Sequence, residues 1–166
     1  MSTSLSDFAS IFSIIAVLIA LITLIIENRR GRLSLQADLL LRLEDKFHSA
    51  EAKVLRRKAA TKLLKNKKPN HELEEVFELL STITFFYDIR ALDSNLVYKQ
   101  FAYWIDRYWL SGKTYVEEEC RKYDPNNYGT LEKVATFFIR KELKKGYNLY
   151  EAELLNSFLE EEKALP

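Results

Sequence analysis

Residues Phe8 to Ile26 read FASIFSIIAVLIALITLII, nineteen consecutive positions without a charge. Thirteen are Phe, Ile, Leu or Val and six are Ala, Ser or Thr, so no polar stripe divides the helix they would form. At about 1.5 Å per helical residue the run reaches roughly 30 Å, the thickness of a bilayer's hydrocarbon core. At about −0.3 to −0.6 kcal/mol for each of the thirteen, insertion is favoured by about 4–8 kcal/mol. The pattern predicts a short segment 1–7, a transmembrane helix 8–26 and a domain 27–166.

The flanks give this span a direction. No Lys or Arg precedes it, whereas Arg29, Arg30, Arg32 and Arg42 follow within twenty residues. The positive-inside rule places the N-terminus outside and 27–166 in the cytoplasm, as expected of a single-pass protein of the bacterial inner (plasma) membrane. A cleaved signal peptide would need a basic leader and a shorter apolar run, and MSTSLSD supplies no base. Arg29, Arg30 and Arg32 fall at headgroup height, where each gains about 1 kcal/mol from anionic lipid. Within the span, Ala9, Ser13, Ala16, Ala20 and Thr23 recur at spacings of four and three, lining one face with small residues. Such a seam lets two copies of a membrane helix approach closely, and so predicts a homo-oligomer.

Downstream the period remains helical throughout. Leu40, Leu43, Phe47, Ala50 and Val54 mark one face of a helix over about 33–64, with Gly31 as a kink between it and the span. Lys67-Lys68-Pro69-Asn70 interrupts it, and Asn70 is placed to cap a second helix that carries Leu73, Val76, Phe77, Leu80 and Ile83 to about Arg90. Asp93 or Ser94 caps a third helix reaching about Lys122. The turn-rich Asp124–Gly129 segment leads to a fourth, 130–145, which stops at Gly146. Asn148 opens a last helix, with Glu151 set to complete a capping box. The expected fold is all-α: one transmembrane helix, then a cytosolic bundle of about four to five helices.

Composition narrows the chemistry. Twenty-five basic against 24 acidic residues give no global charge that calls for nucleic acid, and Cys120 is the sole cysteine, so no intrachain disulfide forms. His48 and His71 stand at no metal-ligand spacing, no glycine loop cradles phosphate, and Glu117-Glu118-Glu119 would raise the thiol pKa of Cys120. No catalytic residue, metal or cofactor is expected, and the chain reads as a non-enzyme.

Two clusters stand out. Phe101, Trp104 and Tyr108 share one stripe of the third helix, with Ile105 and Trp109 on another, so this helix is expected at the bundle's centre. The alternative is an aromatic groove for an unknown protein partner, since Trp and Tyr are frequent interface anchors. Gly112 in the same helix implies close approach by another backbone. The second cluster is basic: Lys53, Arg56, Arg57, Lys58, Lys62 and Lys65, then Lys67 and Lys68, with no acidic residue among them. Its plain reading is a solvated helix end that pairs with Glu72, Glu74, Glu75 and Glu78. Its functional reading is a patch for nucleic acid or an acidic partner.

The anchor, its Arg-rich exit with Gly31, the segment Leu92-Asp93-Ser94-Asn95-Leu96-Val97, and then Phe101, Tyr103-Trp104-Ile105 and Arg107-Tyr108-Trp109 form a combination. It resembles a family of small bacterial single-pass membrane proteins with a cytosolic helical domain of unknown function, some found in phage-related contexts. The resemblance covers about Phe8 to Lys122 and implies fold and location without any active site. The expected function is a membrane-anchored, non-enzymatic interaction or regulatory module that self-associates. The alternative is a membrane-tethered effector, with phage defence as one setting, that contacts nucleic acid or an acidic partner through 53–68.

Overall fold

The computed structural model describes residues 5–65 and 71–166, with side chains described from Leu18 onward. Among the described residues there are six α-helices, one 3-10 turn and no strand. They are α1 (Leu5–His48), α2 (Ala50–Leu64), α3 (His71–Asp88), α4 (Ser94–Glu118), the turn Cys120–Lys122, α5 (Gly129–Lys144) and α6 (Ala152–Lys163). The all-helical expectation holds among the described residues, whose six helices agree in number with the expected one plus four to five. The chain divides into two compact units, 1–39 and 40–166.

In the first unit α1 runs unbroken through Gly31. Leu18, Ile19, Leu21, Ile22, Leu24, Ile25 and Ile26 are each 45–62% exposed, and Arg29, Arg30 and Arg32 after them are exposed as well. Thr23 folds its hydroxyl back onto the carbonyl of Ile19 at 2.9 Å, which satisfies the hydroxyl within its own helix. Among the described residues no helix is long and apolar enough to cross a membrane. The side chains of Phe8–Val17, which open the nineteen-residue run and include Ala9, Ser13 and Ala16 of the seam, lie outside those described.

The second unit is a helical bundle. The helix expected over 33–64 is broken at Ser49, whose extended backbone (φ −60°, ψ 156°) ends α1 and whose hydroxyl accepts the amide of Ala52 to cap α2. The cap expected of Asn70 lies outside the described residues. Asp93 takes the amides of Asn95 and Leu96 at 2.9 and 3.1 Å, so of the two candidate caps for α4 it is the one used. Arg90, in the left-handed region at φ 58°, turns the chain out of α3 so that Leu92 drops into the core. Gly146, at φ 91°, ends α5 with the amide of Tyr147 on the carbonyl of Glu142, as a glycine stop should. The start of α6 is the correction: Asn148 accepts the amide of Tyr150 in a local turn, and Glu151 sits at the cap position without a side-chain bond.

At the centre α4 buries nine residues, among them Val97, Phe101, Ile105, Tyr108, Trp109 and Val116, with α3, α5 and α6 packed against it. Phe47 meets Phe101 edge-on, Phe138 lies between Tyr87 and Tyr98, and Phe77 packs on Trp109 and Tyr128. The fully buried rings among them, Phe47, Phe77, Phe101, Trp109 and Phe138, each stabilise the fold by about 1.5–3 kcal/mol. Gly112 does admit a close neighbour, but it is the ring of Phe77, with Leu73 beside it, and not a backbone: a Cβ there would stand 2.5 Å from Phe77 Cζ.

Gly112→Ala therefore pits a helix-propensity gain of up to about 1 kcal/mol against an overpacking cost of about 1–3 kcal/mol. The ring of Phe77 is hemmed in by Trp109 and Tyr128, so the melting temperature should fall. Gly31→Ala, with nothing within 4 Å, should leave it unchanged or raise it. A rise for Gly112→Ala would show that the ring gives way freely.

Candidate functional site

The densest polar constellation in the bundle forms where three helices carry a polar group on an otherwise apolar face. On α2 the buried stripe is Ala52, Arg56, Ala59 and Ala60; on α6 it is Phe158, Leu159 and Glu162. The small alanines let α6 lie close to α2, and that proximity brings the guanidinium of Arg56, 2% exposed, onto the carboxylate of Glu162, 4% exposed. Arg56 Nε donates to Oε2 and Nη2 to Oε1, both at 2.6 Å, in the parallel fork that matches the two planar groups. From α4, Tyr108 adds its hydroxyl to Oε2 at 2.6 Å and Trp104 its Nε1 to Oε1 at 3.1 Å. The remaining Arg56 Nη1 donates to the carbonyl of Phe47 at 3.2 Å, and the guanidinium carbon lies 4.4 Å from the Phe47 ring centroid and 5.6 Å from that of Trp104. Each carboxylate oxygen thus accepts two hydrogen bonds.

The electrostatics follow from that closure. Burial pulls the Arg56 guanidinium down, but the bond to Glu162 and its charge outweigh burial and hold it above its ordinary pKa. Burial and then the Glu162 carboxylate push the Tyr108 phenol well above 10, so it remains a donor at every physiological pH. His48, edge-on to Trp104 at 5.2 Å, is lowered by burial and then by Arg56. The constellation binds a carboxylate and offers no free acid, base or nucleophile.

Two other groups lie apart from it. Asp106 on α4 is 1% exposed and meets one cation, Arg107, at 3.0 Å; burial raises its carboxyl to about 7 against the pull of that arginine. An open groove at the N-terminal end of α3 gathers Glu74, Glu75, Glu78, His71, Tyr115 and Tyr128. Tyr115 donates to Glu74 there, and the buried Cys120 thiol is pushed up by burial and then by Glu74. Among the described residues no cluster of three or more His, Cys, Asp or Glu side chains could hold a metal ion.

The sequence-derived residues fall as follows. Phe101, Tyr108 and Trp109 are buried, while Trp104 is half-buried at the edge of the core with its indole N–H spent on Glu162. The described part of the basic cluster, 53–65, does not present one face, and Lys67 and Lys68 lie outside the described residues. Arg56 is interior, Arg57 donates to the carbonyl of Leu165 at 3.4 Å, and Lys62 pairs with Glu72 at 2.5 Å, while Lys58 and Lys65 are exposed and Lys53 half-exposed. Glu162 was hidden in the sequence as the end of an acidic run, and Arg56 as one base among eight. The signal available for both was register, since each continues the apolar stripe of its helix at a spacing of three or four. No protein-family model matches the chain, and neither does any curated protein or solved structure.

Tyr108→Phe removes one donor from Glu162 and keeps the ring. It should cost about 1–3 kcal/mol in chemical denaturation; an unchanged midpoint would show that Arg56 and Trp104 suffice.

For Asp106 the sign runs against most carboxylates. A folded pKa near 7, above the unfolded value near 3.8, means the native state holds the extra proton between those values, so stability is full at low pH and falls as pH rises towards 7. Asp106→Asn should therefore stabilise at pH 8 by about 1–4 kcal/mol and gain little near pH 4. A benefit equal at both pH values would exclude a buried titration.

Proposed function

We propose that the chain is a membrane-anchored, non-enzymatic interaction module. Residues 8–26 cross the bacterial inner membrane and present the bundle in the cytoplasm as a binding platform, in keeping with the resemblance to single-pass proteins. The observation that carries this reading is the apolar surface of α1: from Leu18 to Ile26 every residue is exposed, on all sides of the helix. Apolar surface of that extent and without a polar face is stable only when lipid or a partner covers it, and the charge-free run that it completes has the length of a bilayer core. Arg29, Arg30 and Arg32, all exposed, stand where anionic headgroups would meet them. Self-association through the Ala9, Ser13, Ala16, Ala20 and Thr23 seam belongs to the same proposal. The non-enzymatic part is supported by the carboxylate constellation, whose donors and acceptors are consumed by one another.

The nucleic-acid reading of 53–68 has less support, because Arg56, Arg57 and Lys62 are engaged within the protein.

Fractionation tests the anchor. The full chain should sediment with membranes and resist high salt and alkaline carbonate, coming out only with detergent. A chain lacking residues 1–26 should be released. Extraction of the full chain by salt alone would sink the proposal. A reporter fused after Pro166 should be active in the cytoplasm, and neutralising Arg29, Arg30 and Arg32 should weaken that preference. The nucleic-acid alternative predicts instead a salt-dependent affinity of the full chain for DNA or RNA.

A further inference from the structure

The last helix is held differently from the others. It contributes three buried residues, Phe158, Leu159 and Glu162, against nine from α4 and six from α3, and one of its three is a charge. A buried ion pair gives little net stability relative to apolar packing of the same size, because both ions regain water on separation. The seven residues 145–151 that lead into α6 are exposed apart from Leu149, and Gly146 turns among them at φ 91°. The last helix is thus joined to the bundle through few buried residues and an exposed connection.

What it would leave behind is a formed receptor. The guanidinium of Arg56 is positioned by groups outside α6: the Phe47 carbonyl holds Nη1, the Phe47 ring lies beneath it, and Trp104 closes its edge. Its other two donors, with the Tyr108 hydroxyl and the Trp104 indole N–H, would remain aimed at the place of one carboxylate. Beside them Tyr108 and Tyr103 form the edge-on aromatic slot that Phe158 now fills, at 5.1 and 5.6 Å between ring centroids.

We propose that α6 occupies in cis a carboxylate-reading helix groove, and that the groove's partner is an amphipathic protein helix with the same pattern: an aromatic residue, an aliphatic one beside it and a glutamate four positions after the aromatic. Charge complementarity and the preset fork select for that glutamate, while the aromatic slot sets its register along the helix. An arriving helix displaces α6, so the C-terminal helix acts as an internal competitor that lowers the affinity for every partner. This rests on the reading of the bundle as an interaction module and is independent of its anchor.

The test uses the full chain in detergent, with a protease site built into the exposed 145–148 segment, and a fluorescent peptide of residues 151–166. Cutting the loop turns α6 into a separable ligand, and the cut chain should then bind the peptide at least tenfold more tightly than the uncut chain. A peptide carrying Glu162→Gln should bind the cut chain at least tenfold more weakly than the native peptide. The proposal is overturned if the cut chain keeps its own helix and takes up no peptide, if it loses its cooperative melt and binds none, or if the two peptides bind alike. None of these outcomes alters the membrane fractionation result, so failure of the groove and failure of the anchor are told apart.

Discussion

The bundle turns on a single buried ion pair. Arg56 and Glu162 are 106 residues apart in sequence and lie on packed helices whose other buried residues are alanines on α2 and Phe158 and Leu159 on α6. Burying either ion alone would cost several kcal/mol, so the fold is committed to bringing them together and to satisfying what the pair leaves over. Tyr108, Trp104 and the carbonyl of Phe47 do that, and each comes from an element that has to be correctly placed first. One carboxylate thereby reports on the mutual positions of α2, α4, α6 and the end of α1. An apolar contact of the same area would tolerate sliding; this one tolerates very little.

That constraint explains why α4 carries its aromatic cluster. Its residues divide by task around the helix. Phe101, Ile105 and Trp109 fill the core, where rings from α1 and α3 meet Phe101 and Trp109. Trp104 and Tyr108, each apolar in body with one polar atom at the rim, can pack and donate at once. Phenylalanine at both positions would keep a ring in place and would leave Glu162 short of two donors. The choice of Trp and Tyr is therefore set by the acid on α6 as much as by the volume to be filled.

Helix class, the cap at Asp93, the glycine stop at Gly146 and the centrality of α4 were legible because each rests on a local rule: period, side-chain length or permitted φ. The break at Ser49 was legible in principle, since a serine followed by Ala-Glu-Ala is a serviceable cap, yet the apolar period runs on across it and masks it. Gly112 signalled a close neighbour without saying whether ring or backbone would fill the space, since both need the missing Cβ. Arg56 and Glu162 were not legible as a pair. A charge in a charged run looks solvated, and only its register on an otherwise apolar stripe distinguishes it.

The same register argument bears on Asp106, the third charge set on an apolar stripe. Glu162 gathers four donors in a full ion pair; Asp106, four residues after Ala102 and three before Trp109, is paired among the described residues with its neighbour Arg107 alone, which is itself stacked 4.0 Å over the ring of Tyr103. Two carboxylates of similar burial thus have opposite consequences. The first organises the fold because its partners come from distant elements, whereas the second is tied only to the next residue of its own helix, so its ionisation is resisted by burial and rewarded by no long-range contact. What separates an organising charge from a costly one here is the sequence distance to its donors, because only distant donors convert an electrostatic attraction into tertiary structure.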